Sequence, residues 1–299
     1  MTALPKQASN KTLVPPLKCQ GIKTKLVPFI AASIRWDGGG RWVEPFLGSG
    51  SVLFNIAPER AIVSDSNPHI IRLYSGIQDG SITEQIVRQY LDEAGLALSE
   101  RGAEYFYEVR EAFNVDEDPL KFLFLNRSCF NGMMRFNARG QFNVPFGHKP
   151  ERFRRAYVTK VVNQVAAVRA LIARKDWEFR TQDWRRTVAG ARRDDFLYLD
   201  PPYIGRHVGY YNGWSAADAV DLARRVQDAG CGFALSMWKE NRYRSNEHLA
   251  ECWSGAHIAT MNHFYYLGAR KALRNAMTEA LAIHPDCVAG ADQAPPDAV

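Results

Sequence analysis

The sequence predicts an α/β fold built on a doubly wound, mostly parallel sheet of seven strands, interrupted once by a mostly helical segment. Three observations carry this. Short runs rich in β-branched and aromatic residues alternate with stretches whose apolar residues recur at helical spacing. A glycine-bearing turn, Glu44-Pro45-Phe46-Leu47-Gly48-Ser49-Gly50-Ser51, follows the first of these runs. Acids stand at the ends of two others, Asp65 and Asp200, where open α/β sheets receive their ligands.

Taken in order, strands are expected near residues 41–46, 61–65, 177–182, 195–200, 232–237, 257–267 and 275–284. Between Ile77 and about Arg174 the alternation stops. Ile82 to Leu98, Ala103 to Phe113 and Pro119 to Phe130 each repeat apolar residues at helical spacing, and Arg152 to Ala173 reads as a helix returning to the sheet. The expected organisation is therefore a discontinuous domain of residues 1–76 and 160–299, holding an insert of residues 77–159. The end of the insert is rich in Asn, Arg, Gly and Phe, a composition suited to hydrogen bonding and to stacking on bases. The segment from Asp286 to Val299, heavy in Ala, Pro and Asp, is expected to be disordered.

Asp200-Pro201-Pro202-Tyr203 is the most informative run in the chain. It sets a carboxylate, a turn lacking backbone N–H at two positions and an aromatic face at one strand end. Such a turn suits a planar ring bearing an amino group: the Asp200 carboxylate and the Pro201 carbonyl accept from the NH2, and Tyr203 stacks on the ring. A nitrogen held this way attacks an electrophilic methyl group. An ordinary turn after a buried strand is the rival explanation. In the glycine turn, Gly48 and Gly50 let the backbone approach a ligand closely, and the spacing is neither a dinucleotide fingerprint nor a Walker loop. Asp65, fifteen residues after Gly50, is placed to hold a ribose diol.

Composition excludes several classes. No apolar run is long enough to span a bilayer, and the first sixteen residues are polar and proline-bearing, unlike a signal peptide. The five cysteines are an odd, scattered set without metal-ligand spacing, as expected of free thiols in a reducing cytoplasm. A net charge of +6 favours a polyanionic partner.

These motifs together resemble the Dam family of adenine-N6 DNA methyltransferases, the alpha-ordered D12 class. Leu17-Lys18-Cys19-Gln20-Gly21-Ile22-Lys23 is similar to the family's opening Lys-Trp-Ala-Gly-Gly-Lys segment. The block from Leu125 to Gly147 matches the family over many Asn, Arg, Gly and Pro positions. The resemblance implies a Rossmann-like methyltransferase sheet, an inserted target-recognition domain and S-adenosyl-L-methionine as cofactor. Its partner is double-stranded DNA, with methyl transfer to an adenine flipped out of the duplex. No metal or covalent intermediate is implied. A cytoplasmic protein associated with the nucleoid through DNA is expected, with no membrane contact. A homodimer is compatible with the sequence, which specifies neither the oligomeric state nor a restriction endonuclease partner.

Residue by residue, the resemblance implies Asp200, Pro201, Pro202 and Tyr203 as the catalytic turn. Cys19, Gln20, Gly21, Lys23, Glu44, Phe46, Gly48, Gly50, Asp65 and Asp183 correspond to the cofactor site. Asp183 stands where the family binds the adenine ring's amino group, although capping the next helix would also explain it. Cys19-Gln20-Gly21-Ile22 replaces the usual Trp-Ala-Gly-Gly, so the stacking aromatic is absent, and Phe46 is the candidate to supply part of the lost packing. For DNA the implied residues are Lys18, Phe130, Asn131, Met133, Arg135, His148 and Lys149, with Phe130 as a wedge and Arg135 as a guanine reader. Tyr210 and Tyr211 either close over the base or pack on their own loop, and Arg270 to Arg274 resembles a phosphate-gripping hairpin. Ser236-Met237-Trp238 ends another strand where the family usually carries Ser-Asn, and Trp238 is given no role. Residues around Arg135 differ from the family, so GATC is one candidate site among several short guanine-containing ones. Related Pro-Pro-Tyr turns serve RNA adenine, protein glutamine and cytosine N4 chemistry; a silent DNA-binding regulator on the same scaffold is a further alternative.

Overall fold

The computed structural model describes residues 12–203, 214–241, 244–264 and 276–290. Its strands are β1 (Trp42–Glu44), β2 (Arg60–Asp65), β3 (Asp176–Thr181), β4 (Phe196–Leu199), β5 (Gly232–Asn241), β6 (Arg244–Ser245), β7 (His257–Phe264) and β8 (Ala276–Ile283). They form one sheet in the order β3-β2-β1-β4-β5-β8-β7, with the two-residue β6 beside β5. Neighbours from β3 through β5 pair in parallel, and β8 runs antiparallel between β5 and β7. All seven expected strands are present. Residues 265–267 and 275 of the last two, like Tyr210, Tyr211 and the Arg270 to Arg274 run, lie outside the described residues.

Strand periodicity explains how the sheet feeds two cores. On one face lie Trp42 of β1, Val63 of β2, Phe196 and Tyr198 of β4, Ala234 of β5 and Leu281 and Ile283 of β8. The intervening residues Val43, Leu197, Leu199, Phe233, Leu235, Ala280 and Ala282 face the other way. Because successive side chains of a strand point to opposite faces, β4, Phe-Leu-Tyr-Leu, must be apolar throughout, and it is buried at every position. Trp42 stacks on Phe196 at 5.2 Å and on Tyr198 at 5.6 Å, tying β1 to β4 through rings as well as through the ladder.

Helices α1 (Val27–Ser33), α2 (Leu53–Ile56), α3 (Pro68–Asp79), α4 (Glu84–Arg101), α5 (Ala103–Asp116), α6 (Pro119–Ser128) and α7 (Arg155–Ile172) cover the first face. The second is covered by α8 (Trp184–Ala189), α9 (Ala216–Ala229) and α10 (Glu247–Cys252). Sequence chemistry sets several starts. Thr83 accepts from Ile86 N–H, Asp118 accepts from Leu120 and Lys121 N–H with Pro119 at the first helical position, and Ser215 and Asp218 form a reciprocal capping box.

Helices α4, α5 and α6 occupy the stretch where the strand alternation stops, and their apolar side chains join those of the sheet in one cluster that includes Val87, Leu91, Phe106 and Phe122. A seam of rings makes the join: His69 of α3 lies 4.9 Å from Phe113 and 5.0 Å from Phe136. Burial there pushes the His69 imidazole down to about 4, so it is neutral at physiological pH. Helix α6 stops at Ser128 rather than Phe130. Asn131 and Gly132 adopt left-handed backbone, φ 54° and 65°, which a helix cannot accommodate. Residues 286–289 are also held, contrary to the expected free tail: Arg35 N–H donates to Cys287 O at 2.8 Å and Ala289 N–H to Ser33 O at 3.0 Å. Residues 291–299 lie outside the described part.

The glycine turn depends on one position more than the others. Gly50 has φ 75°, and a Cβ there would strike the ring of Phe54, which is buried against Tyr74 and Trp177 and has no room to yield. Left-handed backbone costs an L residue about 1–2 kcal/mol and overpacking about 1–3 kcal/mol. Gly50→Ala is expected to destabilise the protein by about 2–4 kcal/mol on these grounds. Urea denaturation with the slope unchanged checks it, and a loss under 1 kcal/mol would show that the turn relaxes.

Candidate active site

The chain leaving β1 enters α2 on one face of the sheet, whereas the chain leaving β4 reaches α9 on the other. A crevice therefore opens beyond the carboxyl ends of these adjacent strands, the place where doubly wound sheets bind ligands. Glu44 ends β1, Asp65 ends β2 and Asp200 follows β4, so the topology converges three acids that are far apart in sequence.

Asp65 organises the glycine turn. Its two carboxylate oxygens accept from Gly48 N–H and from Asn67 N–H, each at 2.9 Å, so one side chain spans the turn after β1 and the start of α3. Burial raises its pKa, and the two N–H donors oppose that rise. Gly48 has φ 52°, which an L residue adopts only with strain. Helix α2 is a single turn, so the N–H groups at this edge come mainly from the loop itself.

Asp200 is bound to Lys23. The Lys23 ammonium, 3% exposed, lies 2.8 Å from Asp200 Oδ1 and donates to Gly21 O at 3.1 Å and to Tyr203 Oη at 3.2 Å. Tyr203 in turn donates to Glu279 Oε2 at 2.8 Å. Lys23 thus joins the segment ahead of α1 to the turn after β4, and Tyr203 joins that turn to β8. Burial raises the Asp200 pKa; the Lys23 charge and hydrogen bond oppose the rise, and Glu279 adds to it.

Glu44 is buried and accepts from the Trp42 indole N–H at 3.0 Å, two residues back on the same face of β1. Burial pushes its carboxyl up to about 8; the Asp200 charge adds to this and the indole opposes it. Cys19 packs near Gly48, and burial with the charges of Asp65 and Asp200 pushes its thiol up to about 12, leaving it protonated and inert where the family carries Trp. Gln20 is exposed. Phe46 lies 6.1 Å from Trp184 and 5.6 Å from Trp214, so its ring packs on α8 and on the residue preceding the Ser215 cap of α9. Asp183 caps α8, accepting from Arg185 N–H at 2.8 Å, as one of its two sequence readings required.

A concave surface beside the turn is lined by Pro201, Pro202, Tyr203, Trp214, Trp238 and His248 among others, which gives Trp238 a position the sequence did not. The insert brings the remaining residues together in a compact loop. Phe130 is 48% exposed, and its N–H donates to Pro145 O at 2.9 Å. The Arg135 Nε donates to Asn143 Oδ1 at 2.8 Å and its Nη2 to Asn143 O at 3.0 Å, across the turn bridged by Phe136 and Phe142. Asn131, His148 and Lys149 are exposed, and Met133 is half-buried. Lys18 is half-buried against Gly132, its backbone held on both sides by the Asn126 side chain.

Two residues escaped sequence reasoning. Glu279 carried a signal, a lone charge within the apolar run of β8, whereas nothing local marked Asn143 as the clasp on Arg135.

The family model of the D12 class N6 adenine-specific DNA methyltransferases matches residues 20–266. The chain belongs to that family. It is 34% identical to a DNA adenine methylase of Serratia marcescens over 218 residues, covering 69% of this chain and 75% of that protein. Identity to the DNA adenine methylase of Vibrio cholerae is 29% over 253 residues, 81% of this chain and 86% of the relative. The DNA adenine methylase of Escherichia coli K12 is 36% identical over 171 residues, 54% of this chain and 55% of that protein. Among the described residues no helix is long and apolar enough to cross a membrane, and no cluster of His, Cys, Asp and Glu has the makings of a metal site.

Glu44 provides a test of the site's electrostatics. A carboxyl whose folded value is raised binds a proton more tightly in the folded state, so stability is greatest at low pH and falls as pH climbs from about 4.5 toward about 8. Glu44→Gln is expected to flatten that fall. Thermal midpoints measured across the interval check it, and parallel curves for both proteins would show that Glu44 does not titrate there.

Proposed function

We propose that this protein transfers a methyl group from S-adenosyl-L-methionine to N6 of an adenine turned out of duplex DNA at a short guanine-containing site. The observation that carries the reading is the hydrogen-bonded Lys23, Asp200, Tyr203 and Glu279 constellation beside the Asp65 crevice. The residues present suit the cofactor. Left-handed Gly48 and Gly50 leave the backbone bare at two positions of the loop, Asp65 is the candidate acid for a ribose diol, and Lys23 is the candidate cation for a carboxylate. When bound, the cofactor supplies an electrophilic methyl group.

In this reading the chain's part is orientation. Asp200 and the Pro201 carbonyl each accept one N6–H, turning the nitrogen lone pair toward the methyl carbon, and Tyr203 stacks on the base. Lys23 and Glu279 fix the Tyr203 hydroxyl and hence its ring. Asp200 need not take a proton before attack, since the amino proton becomes acidic once the nitrogen carries the methyl group. Removing the base from the stack costs a few kcal/mol, and Phe130, exposed at the tip of its turn, fills the gap it leaves. The insert, residues 77–159, serves as the target-recognition domain.

Asp200→Ala is expected to abolish tritiated-methyl transfer to unmethylated DNA and, because it strips the buried Lys23 of its partner, to lower the thermal midpoint, while DNA binding and cofactor binding by calorimetry persist below that midpoint. RNA and protein substrates run in parallel separate the other chemistries of Pro-Pro-Tyr turns. A near-normal single-turnover rate in the mutant would falsify the assigned role.

Asn143 holds two donors of Arg135, leaving Nη1 and one Nη2 hydrogen for a guanine edge. Arg135→Ala should cost about 1–3 kcal/mol of discrimination at one base pair. Methylome profiles on random-sequence DNA check this; an unchanged consensus with uniformly weaker methylation would assign Arg135 to the backbone instead.

A further inference from the structure

Three cations gather around the Tyr157 hydroxyl, in the first turn of α7, with no carboxylate among them. Arg127 Nη1 donates to Tyr157 Oη at 3.4 Å, the Arg152 guanidinium lies over the Tyr157 ring at 4.6 Å, and the Lys18 charge is close enough to act on Tyr157. Arg152 also donates to Arg127 O at 3.0 Å. Arg127 is buried, and its other acceptors are neutral: the carbonyls of Pro15 and Pro16 and the Gln164 amide oxygen.

Several other cations of the chain meet carboxylates. Lys23 is paired with Asp200, Arg41 with Asp195, Arg169 with Glu84, and Arg185 with Asp218 and Asp221. Among the described residues, Lys18, Arg127 and Arg152 have no acidic partner. Like charges drawn together in a half-buried place repel one another, and desolvation adds to the cost. Burial, followed by the charges of Arg152 and Arg127, lowers the Lys18 pKa against the opposing pull of Tyr157. An anion would remove that cost. Position identifies which anion: Lys18 lies against Gly132, in the turn that carries exposed Phe130 and Asn131, and Arg152 reaches the carbonyl of Arg127 at the end of α6.

We propose that Lys18, Arg152 and Tyr157 form a phosphodiester clamp, with Arg127 as the fixed charge beneath it, that grips the DNA backbone beside the Phe130 turn; this rests on DNA being the substrate. The half-buried Lys18 and Arg152 neutralise the phosphate, and the Tyr157 hydroxyl donates to one of its oxygens. The clamp fixes the register of the duplex and does not read sequence.

The test is equilibrium binding of a short unmethylated duplex across a range of monovalent salt. Each phosphate contact contributes about 0.9 to the slope of log affinity against log salt. Arg152→Ala is expected to reduce the slope by about 1, to weaken binding equally on all duplex sequences, and to leave cofactor affinity by calorimetry unchanged. Tyr157→Phe should weaken binding several-fold without changing the slope. Since Arg152 also bonds Arg127 O, Arg152→Lys serves as the second variant: it restores the charge without that bond and is expected to recover the slope. A wild-type slope in Arg152→Ala, or no recovery in Arg152→Lys, overturns the clamp. A wild-type protein that binds duplex DNA without salt dependence, or not at all, overturns the DNA reading itself.

Discussion

The ion pair between the buried Lys23 ammonium and the half-buried Asp200 is the contact on which the site's geometry depends. It connects a segment that precedes the first helix to the turn after β4, across 177 residues of chain, and its lysine also holds Tyr203. An isolated ammonium at the depth of Lys23 would be costly, because removing its partner leaves an uncompensated buried charge. The pair therefore specifies how these two segments meet. Glu279 extends the constraint to β8 through the Tyr203 hydroxyl, so three parts of the chain set one aromatic ring.

A second constraint is the continuity of the core between sheet and insert. The insert docks through rings on α3, α5 and α6 and on the Phe136 turn, and its apolar side chains share the cluster that underlies Trp42 and Tyr198. Consequently the Phe130 turn and the crevice at β1 and β4 are held by the same packed interior. Lys18 links them further: it lies five residues before Lys23 and packs against Gly132 of the turn.

Electrostatics divides the molecule along the same line. Acids collect at the carboxyl ends of the strands, where burial lifts the pKa values of Glu44, Asp65 and Asp200. Cations without acids collect beside the insert's turn. A cationic cofactor suits the first region and a polyanion the second, each lowering the cost of burying its like charges.

The sequence by itself determined the sheet, because period-two burial and fully apolar parallel strands are local properties, and it determined the two motifs, because an Asp-Pro-Pro-Tyr turn and a Gly-x-Gly turn restrict backbone and chemistry within a few residues. It also placed helices α4 to α7, whose apolar residues recur at helical spacing. What it did not contain was pairing at a distance. That Lys23 meets Asp200, that Glu279 holds Tyr203, that Asn143 clasps Arg135 and that Phe46 turns to Trp184 and Trp214 follow from how elements pack. Asp183 marks the boundary: both its readings were legible, and the capping bond to Arg185 N–H is visible only in the fold. Local chemistry sets which residue types a strand end can offer, whereas the partner of a buried charge is decided by the tertiary structure, since many side chains satisfy the same valence and only packing selects one.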